Sequence, residues 1–186
     1  IFALGGLGEV GKNMYCVMHN NEIIIASSNG RMIHIDENEI RVMGRTATGV
    51  KGIEMDEGIC VGCEIANSNQ SILVVTEKGY GKKTIVSEFR KTKRGSKGIK
   101  ALNITEKNGN IISIKRVETN CDLMIITNSG IIIRIPIEQI SQLGRVTQGT
   151  RLINLKDNQI VSSVSLIKQY EDTNNIEEKK NVEKNG

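Results

Sequence analysis

The chain has no tryptophan, one proline (Pro136), two histidines and only 3% aromatic residues among its 186. Two histidines, His19 and His34, are too few for a two-metal hydrolytic centre, which needs several His and Asp ligands. Four cysteines do not make a disulfide scaffold in a chain of this size, so a reducing cytoplasm is the expected setting. No apolar run approaches the ~20 residues of a membrane helix, nothing resembles a charged-then-apolar signal peptide, and no membrane partner is expected. Helix-length periodic runs are also scarce. What remains is isoleucine, β-branched triplets and 19 glycines, many of them closing short polar turns. That composition predicts an all-β chain of short strands.

The net charge of +4 hides a strong segregation. Between residues 82 and 100 stand Lys82, Lys83, Arg90, Lys91, Lys93, Arg94, Lys97 and Lys100, against the single acid Glu88. A basic block inside a folded region points to a polyanionic partner. Residues 169–186 read differently. Glu171, Asp172, Glu177, Glu178 and Glu183 mix with Lys179, Lys180 and Lys184, the composition of a disordered charged tail.

Self-similarity organises the rest. Three segments share one grammar: an apolar strand, a polar turn closed by glycine, a second strand, then a basic glycine-bearing loop. The turns end at Gly30, Gly79 and Gly130. The loops run through Met43–Ile53, Lys93–Ile99 and Leu143–Ile153, and each is followed by another apolar stretch: Ile59–Ile65, Ile111–Val117 and Ile160–Val164. A period of roughly 50 residues with about four strands per unit is that of a propeller blade. One such sheet cannot bury its own faces, so the units must pack on one another.

The basic loops carry the candidate chemistry. Arg45 and Lys51, then Lys93, Arg94 and Lys97, then Arg145 and Arg151 recur at matching points of successive units. Stacking the units would set them along one rim. Glycines between them let backbone N–H groups approach phosphates, while Lys and Arg neutralise the charge. No base-reading pattern is evident, so contacts to the backbone of bendable duplex DNA are expected. The expected set is Arg45, Lys51, Lys82, Lys83, Arg90, Lys91, Lys93, Arg94, Lys97, Lys100, Arg145 and Arg151.

Three stretches carry a family resemblance: Asp36–Ala47, Glu77–Thr84, and Ile132–Pro136 leading to Gly144-Arg145-Val146-Thr147-Gln148-Gly149. Through them, residues 26–168 resemble the C-terminal β-pinwheel of the DNA gyrase A protein, with its topoisomerase IV counterpart a close relative. The resemblance implies a propeller-like DNA-wrapping module of a type IIA topoisomerase, bacterial and nucleoid-associated. It implies the remainder of the gyrase A protein and the gyrase B protein as partners. No enzyme activity of its own and no cofactor are expected, because the strand-cleaving tyrosine belongs to a different domain of that family. The blades would span 26–70, 71–120 and 121–168. The family's basic Gln-Arg-Arg-Gly-Gly-Lys-Gly box is not intact; Thr92-Lys93-Arg94-Gly95-Ser96-Lys97-Gly98 is the nearest match.

Residues 1–25 instead resemble the opening strands of ribonuclease J, through Phe2–Asn13. A leader β-hairpin follows, and with it two alternatives to DNA wrapping: a nuclease fragment, or a non-functional hybrid of two parents. Gly6-Leu7-Gly8-Glu9-Val10-Gly11 also satisfies a dinucleotide pattern, yet the residues after it read as a strand where that pattern needs a helix. Cys60-Val61-Gly62-Cys63 is a lone pair of thiols without a second pair for zinc, read as small buried strand residues. With three blades, apolar faces on the first and third units would stand open and favour self-association.

Overall fold

The computed structural model describes residues 2–4, 14–16, 22–44 and 46–169. Among them there is no α-helix, only strands and three single-turn 3-10 segments. Strands β1 (Phe2–Leu4) and β2 (Met14–Cys16) pair antiparallel, Phe2 opposite Cys16. The Gly6–Gly11 motif between them lies outside the described residues.

The first unit opens with β3 (Glu22–Ser27) and β4 (Arg31–Asp36), followed by β5 (Cys60–Ile65). The second contains β6 (Ser71–Thr76), β7 (Tyr80–Ile85), β8 (Ile99–Lys100) and β9 (Ile111–Arg116). The third contains β10 (Cys121–Thr127), β11 (Ile132–Pro136), β12 (Thr150–Arg151) and β13 (Val161–Lys168). Each central hairpin turns at a glycine with positive φ: Gly30 at 84°, Gly79 at 77° and Gly130 at 80°. A side chain there would be forced into the left-handed region, which glycine alone enters freely. Each first strand ends at a bulge before Ser27, Thr76 or Thr127. These three hydroxyl residues are buried, and each bonds the backbone of its turn. Ser27 Oγ donates to the Arg31 carbonyl, while Thr76 and Thr127 accept from the Tyr80 and Ile131 N–H groups.

The sheets do not coincide with the repeats. Their strand orders are β5-β3-β4-β8, β12-β7-β6-β9 and β11-β10-β13. The fourth strand of the first sheet is therefore lent by the second unit, with Met32 paired to Ile99. The third unit lends the fourth strand of the second sheet, with Gly81 paired to Thr150. Two four-stranded sheets and one three-stranded sheet replace the three self-contained blades expected. Local patterning cannot reveal a two-residue strand whose partner lies in the preceding unit.

The interfaces between units are the core. Ile24, Ala26 and Met32 of the first sheet meet Ile72, Val74, Val86, Phe89 and the lent Leu102 in one cluster. Leu73 and Val75 meet Leu123, Ile125, Ile137 and Val161 in the next. A third cluster (Ile23, Ile25, Ile33, Ile35, Ile40 and Ile53) covers the other face of the first sheet, which is therefore not open as expected. On β11 the expectation holds: Ile132 is 62% exposed, and the strand has a partner on one side only among the described residues.

Candidate nucleic-acid interface

At both junctions the same bonds lock a lent strand in place. The Gly30 carbonyl accepts from Ala101 N (2.8 Å) and Leu102 N (3.3 Å). At the corresponding place the Gly79 carbonyl accepts from Leu152 N (2.8 Å) and Ile153 N (3.3 Å). The loops leading into these strands are stitched in series. Glu54 N donates to the Ser96 carbonyl at 2.9 Å, and Asn103 N to the Thr147 carbonyl at 3.1 Å. Lys51, Arg94, Lys97 and Arg145 consequently lie on three loops, and Lys100 and Arg151 on the short strands that follow the second and third, with successive segments bonded to one another. Arg45 lies outside the described residues.

The cations on this seam differ in what holds them. Arg90 and Lys93 are exposed and make no ion pair among the described residues. Arg94 Nε donates to the Glu39 carbonyl (3.1 Å), and Lys97 pairs with Asp56 at 2.9 Å while remaining 61% exposed. Lys51 pairs with Glu54, three residues on. Lys100 Nζ donates to Asn103 Oδ1, and Arg145 Nη1 donates to the Lys100 carbonyl at 3.0 Å, so the second and third loops touch through these two residues. Arg151 stands over the Tyr80 ring. Exposed ion pairs of this kind contribute little to stability.

Lys91 serves another purpose. Its ammonium bridges Glu22 (2.8 Å) and Asp36 (3.1 Å), and Glu22 also accepts from buried His34 at 2.9 Å. Burial opposes ionisation of Glu22, but hydrogen bonds from Lys91, His34 and Ser68 outweigh it and hold the carboxyl below its ordinary range. The same bonds, from Glu22 first and Asp36 second, push the Lys91 ammonium up. This network ties the second unit to the first.

Two of the expected contacts point inward. Lys82 is fully buried, and its Nζ donates to the Gly144 and Arg145 carbonyls, both at 2.7 Å. Burial brings its ammonium down to about 8, partly offset by Glu88. Lys83 is half-buried with Nζ on the Ile137 carbonyl at 2.7 Å. A charge in the middle of a strand reads as exposed when the neighbouring unit is unseen; here that unit supplies the acceptors.

Sequence reasoning missed a second group of cations. Lys78, Lys107 and Lys156 gather with Arg151 around Tyr80 in an open cleft of about 500 Å³ between the second and third units. Lys107 Nζ lies 5.8 Å from the ring centroid. These lysines occupy turns of two different units, so no local spacing announces them. Cys60 and Cys63 lie on β5 either side of its bulge, opposite Ser27 and Ile25, and no group of three or more potential metal ligands occurs among the described residues. Cys60 is exposed and Cys63 half-buried, against the buried thiols expected.

A chain of small antiparallel sheets, the first two closed by a strand from the next repeat, with basic loops leading into those strands, is a propeller-like repeat module of the pinwheel kind. Comparison with known proteins specifies it further. The chain belongs to the family described as DNA gyrase C-terminal domain, beta-propeller, which matches residues 21–67, 70–118 and 122–168. The DNA gyrase A protein of Staphylococcus aureus strain MRSA252 is 48% identical over 168 residues, covering 89% of this chain and 19% of that protein. Its counterpart in strain NCTC 8325 / PS 47 is 49% identical over 161 residues, covering 84% and 18%. The chain thus spans about a fifth of the length of these relatives. Among solved structures, a DNA gyrase A C-terminal domain superposes with a TM-score of 0.73 at 24% identity, covering 81% of this chain and 52% of that one. The C-terminal domain of DNA topoisomerase IV gives 0.75 at 24% identity, covering 88% and 52%. These similarities give no support to a ribonuclease J origin for residues 1–25. No helix among the described residues is long and apolar enough to cross a membrane.

Proposed function

We propose that the chain binds the backbone of duplex DNA along the seam of stitched loops and bends it around the rim. It would act as an accessory, non-catalytic part of a type IIA topoisomerase, alongside the remainder of the gyrase A protein and the gyrase B protein at the bacterial nucleoid. The observation that carries this reading is the continuity of the seam, with Lys51, Arg94, Lys97, Lys100, Arg145 and Arg151 on loops and short strands bonded to one another. A row of cations on segments bonded to one another suits a polyanion, and side chains that meet only phosphates give little sequence preference. Lys93 and Arg90 add exposed charge beside it. The test is duplex affinity against salt. For each phosphate that Lys93→Ala/Arg94→Ala/Lys97→Ala no longer neutralises, the slope of log affinity on log salt should fall by about 0.9. Unchanged affinity and slope in that variant would remove this loop from the interface.

The one-sided edge of β11 supports a further partner, a second pinwheel unit. Ile131 and Ile132 stand 42% and 62% exposed where the other hairpins receive a lent strand. Exposed apolar edges of this kind pair with other chains. Light scattering over a concentration series should show association that Ile132→Lys abolishes; an association indifferent to that change would place the interface elsewhere.

A further inference from the structure

Lys82 is a fully buried cation that the proposed DNA interface does not use directly. Its place on β7 is taken by Ile33 in the first unit and Ile133 in the third, three residues after each turn glycine. Of the two junctions, the one between the second and third units therefore buries a charge at this point and the other does not.

That charge faces the loop from Leu143 to Gly149. Lys82 Nζ takes the Gly144 and Arg145 carbonyls at 2.7 Å each, and Thr84 Oγ1 donates to the Leu143 carbonyl at 2.8 Å. Glu88 accepts from Arg145 N at 2.9 Å, and buried Asn108 donates to the Gln148 carbonyl at 3.1 Å. The corresponding loop at the other junction is held differently. The entry bond is shared, Thr92 N to the His34 carbonyl there and Leu143 N to the Lys83 carbonyl here, but beyond it that loop has the Gly95 N–Gly52 carbonyl bond and the exposed Arg94–Glu39 and Lys97–Asp56 contacts. No buried ammonium reaches it among the described residues.

Turning two carbonyl oxygens inward removes their negative ends from the surface that a polyanion would approach. Fixing the peptides on both sides of the Arg145 Cα also fixes where its side chain starts, so less ordering remains to be done on binding. The groups charged near Lys82 are Glu88 and Arg145 themselves.

We propose that Lys82 is a positioning residue: its buried ammonium orders the 143–149 loop and aims Arg145 at a DNA phosphate without touching the DNA. This rests on the reading of that loop as part of the DNA interface.

The test uses the full chain and three variants: Lys82→Met, Arg145→Ala and the double change. In the absence of DNA, backbone amides of the 143–149 loop should exchange about tenfold faster in Lys82→Met, with the 92–98 loop unchanged. With a random-sequence duplex, Lys82→Met should lose about two- to tenfold in affinity, the cost of ordering one side chain afresh. It should lose nothing further in the Arg145→Ala background, because the lysine acts through that arginine. Equal losses in both backgrounds, or wild-type affinity in Lys82→Met, would overturn the proposal. If Lys82→Met fails to fold, the wild-type chain still decides. Its 143–149 amides should be better protected than those of 92–98, and equal protection would overturn the ordering role. If no form binds duplex, the interface reading itself has failed, while amide exchange still reports whether Lys82 orders the loop.

Discussion

Arg151 donates two hydrogen bonds to the phenolic oxygen of Tyr80, from Nε at 3.2 Å and Nη2 at 3.0 Å, and its guanidinium lies 5.6 Å from the centre of the same ring. The two residues belong to different units, and the backbone beside them is paired, Arg151 opposite Tyr80 between β12 and β7. Side chain and main chain together fasten the lent strand.

The first prediction concerns that phenol. Hydrogen bonds from Arg151, aided by its charge and that of Lys107, favour the phenolate and hold Tyr80 below the usual tyrosine range. Ultraviolet titration should show one tyrosine ionising early, absent from Tyr80→Phe and shifted upward in Arg151→Ala. An unshifted early tyrosine in Arg151→Ala would mean that something other than this pair sets it.

A second prediction follows from Lys82. Its folded value is about 8 against an ordinary 10.5, so between those limits the unfolded chain binds more protons than the folded one. Stability therefore rises with pH in that window relative to Lys82→Met, by at most about 1.4 kcal/mol per pH unit. Below pH 8 both states are protonated and the difference between wild type and variant is level. Denaturant titrations of the two proteins at several pH values would reveal the slope. A flat difference would show that Lys82 keeps its ordinary affinity for the proton in the folded state, as a solvated ammonium does.

The third prediction separates two glycines that look alike in sequence. Gly79 and Gly130 both close hairpins at positive φ, so alanine at either costs about 1 kcal/mol of backbone strain. At Gly79 the added methyl also meets Ile153 Cγ2 at 2.6 Å and the Ile153 carbonyl at 3.0 Å, whereas at Gly130 nothing lies within 4 Å. Gly79→Ala should lose a further 1–3 kcal/mol, roughly, by displacing the lent strand. Equal losses in thermal or denaturant unfolding would mean that the third unit leans on the second less than the hydrogen bonds imply.

The hairpins are legible because their causes are local. Asn29-Gly30, Lys78-Gly79 and Ser129-Gly130 supply the turn, and the β-branched runs beside them supply the strands. The strand exchange is not, since Ile99–Lys100 and Thr150–Arg151 are too short to carry a period and their partners lie in the preceding unit. The candidate site divides in the same way. Arg94, Arg145 and Arg151 recur with the repeat, and the basic loop around Lys93 stands out by its charge. Lys82 reads as a surface charge because its acceptors come from residues 144 and 145 of another unit. A signal does exist. Among Ile33, Lys82 and Ile133, the lysine is the odd member at an otherwise apolar position, whereas the Lys78–Lys107–Lys156 cleft leaves no such trace.

The lent strands also set an order on synthesis. Met32 pairs with Ala26 in its own hairpin, but its outer edge cannot be paired until Ile99 has left the ribosome, nor that of Gly81 until Thr150 has. At about 5–20 residues per second the growing chain therefore waits for several seconds with one edge incomplete. Each new unit finishes the sheet behind it and presents the next unfinished edge. Growth of the folded structure is thereby directional, and a pause in translation would leave the same edge exposed for as long as it lasts.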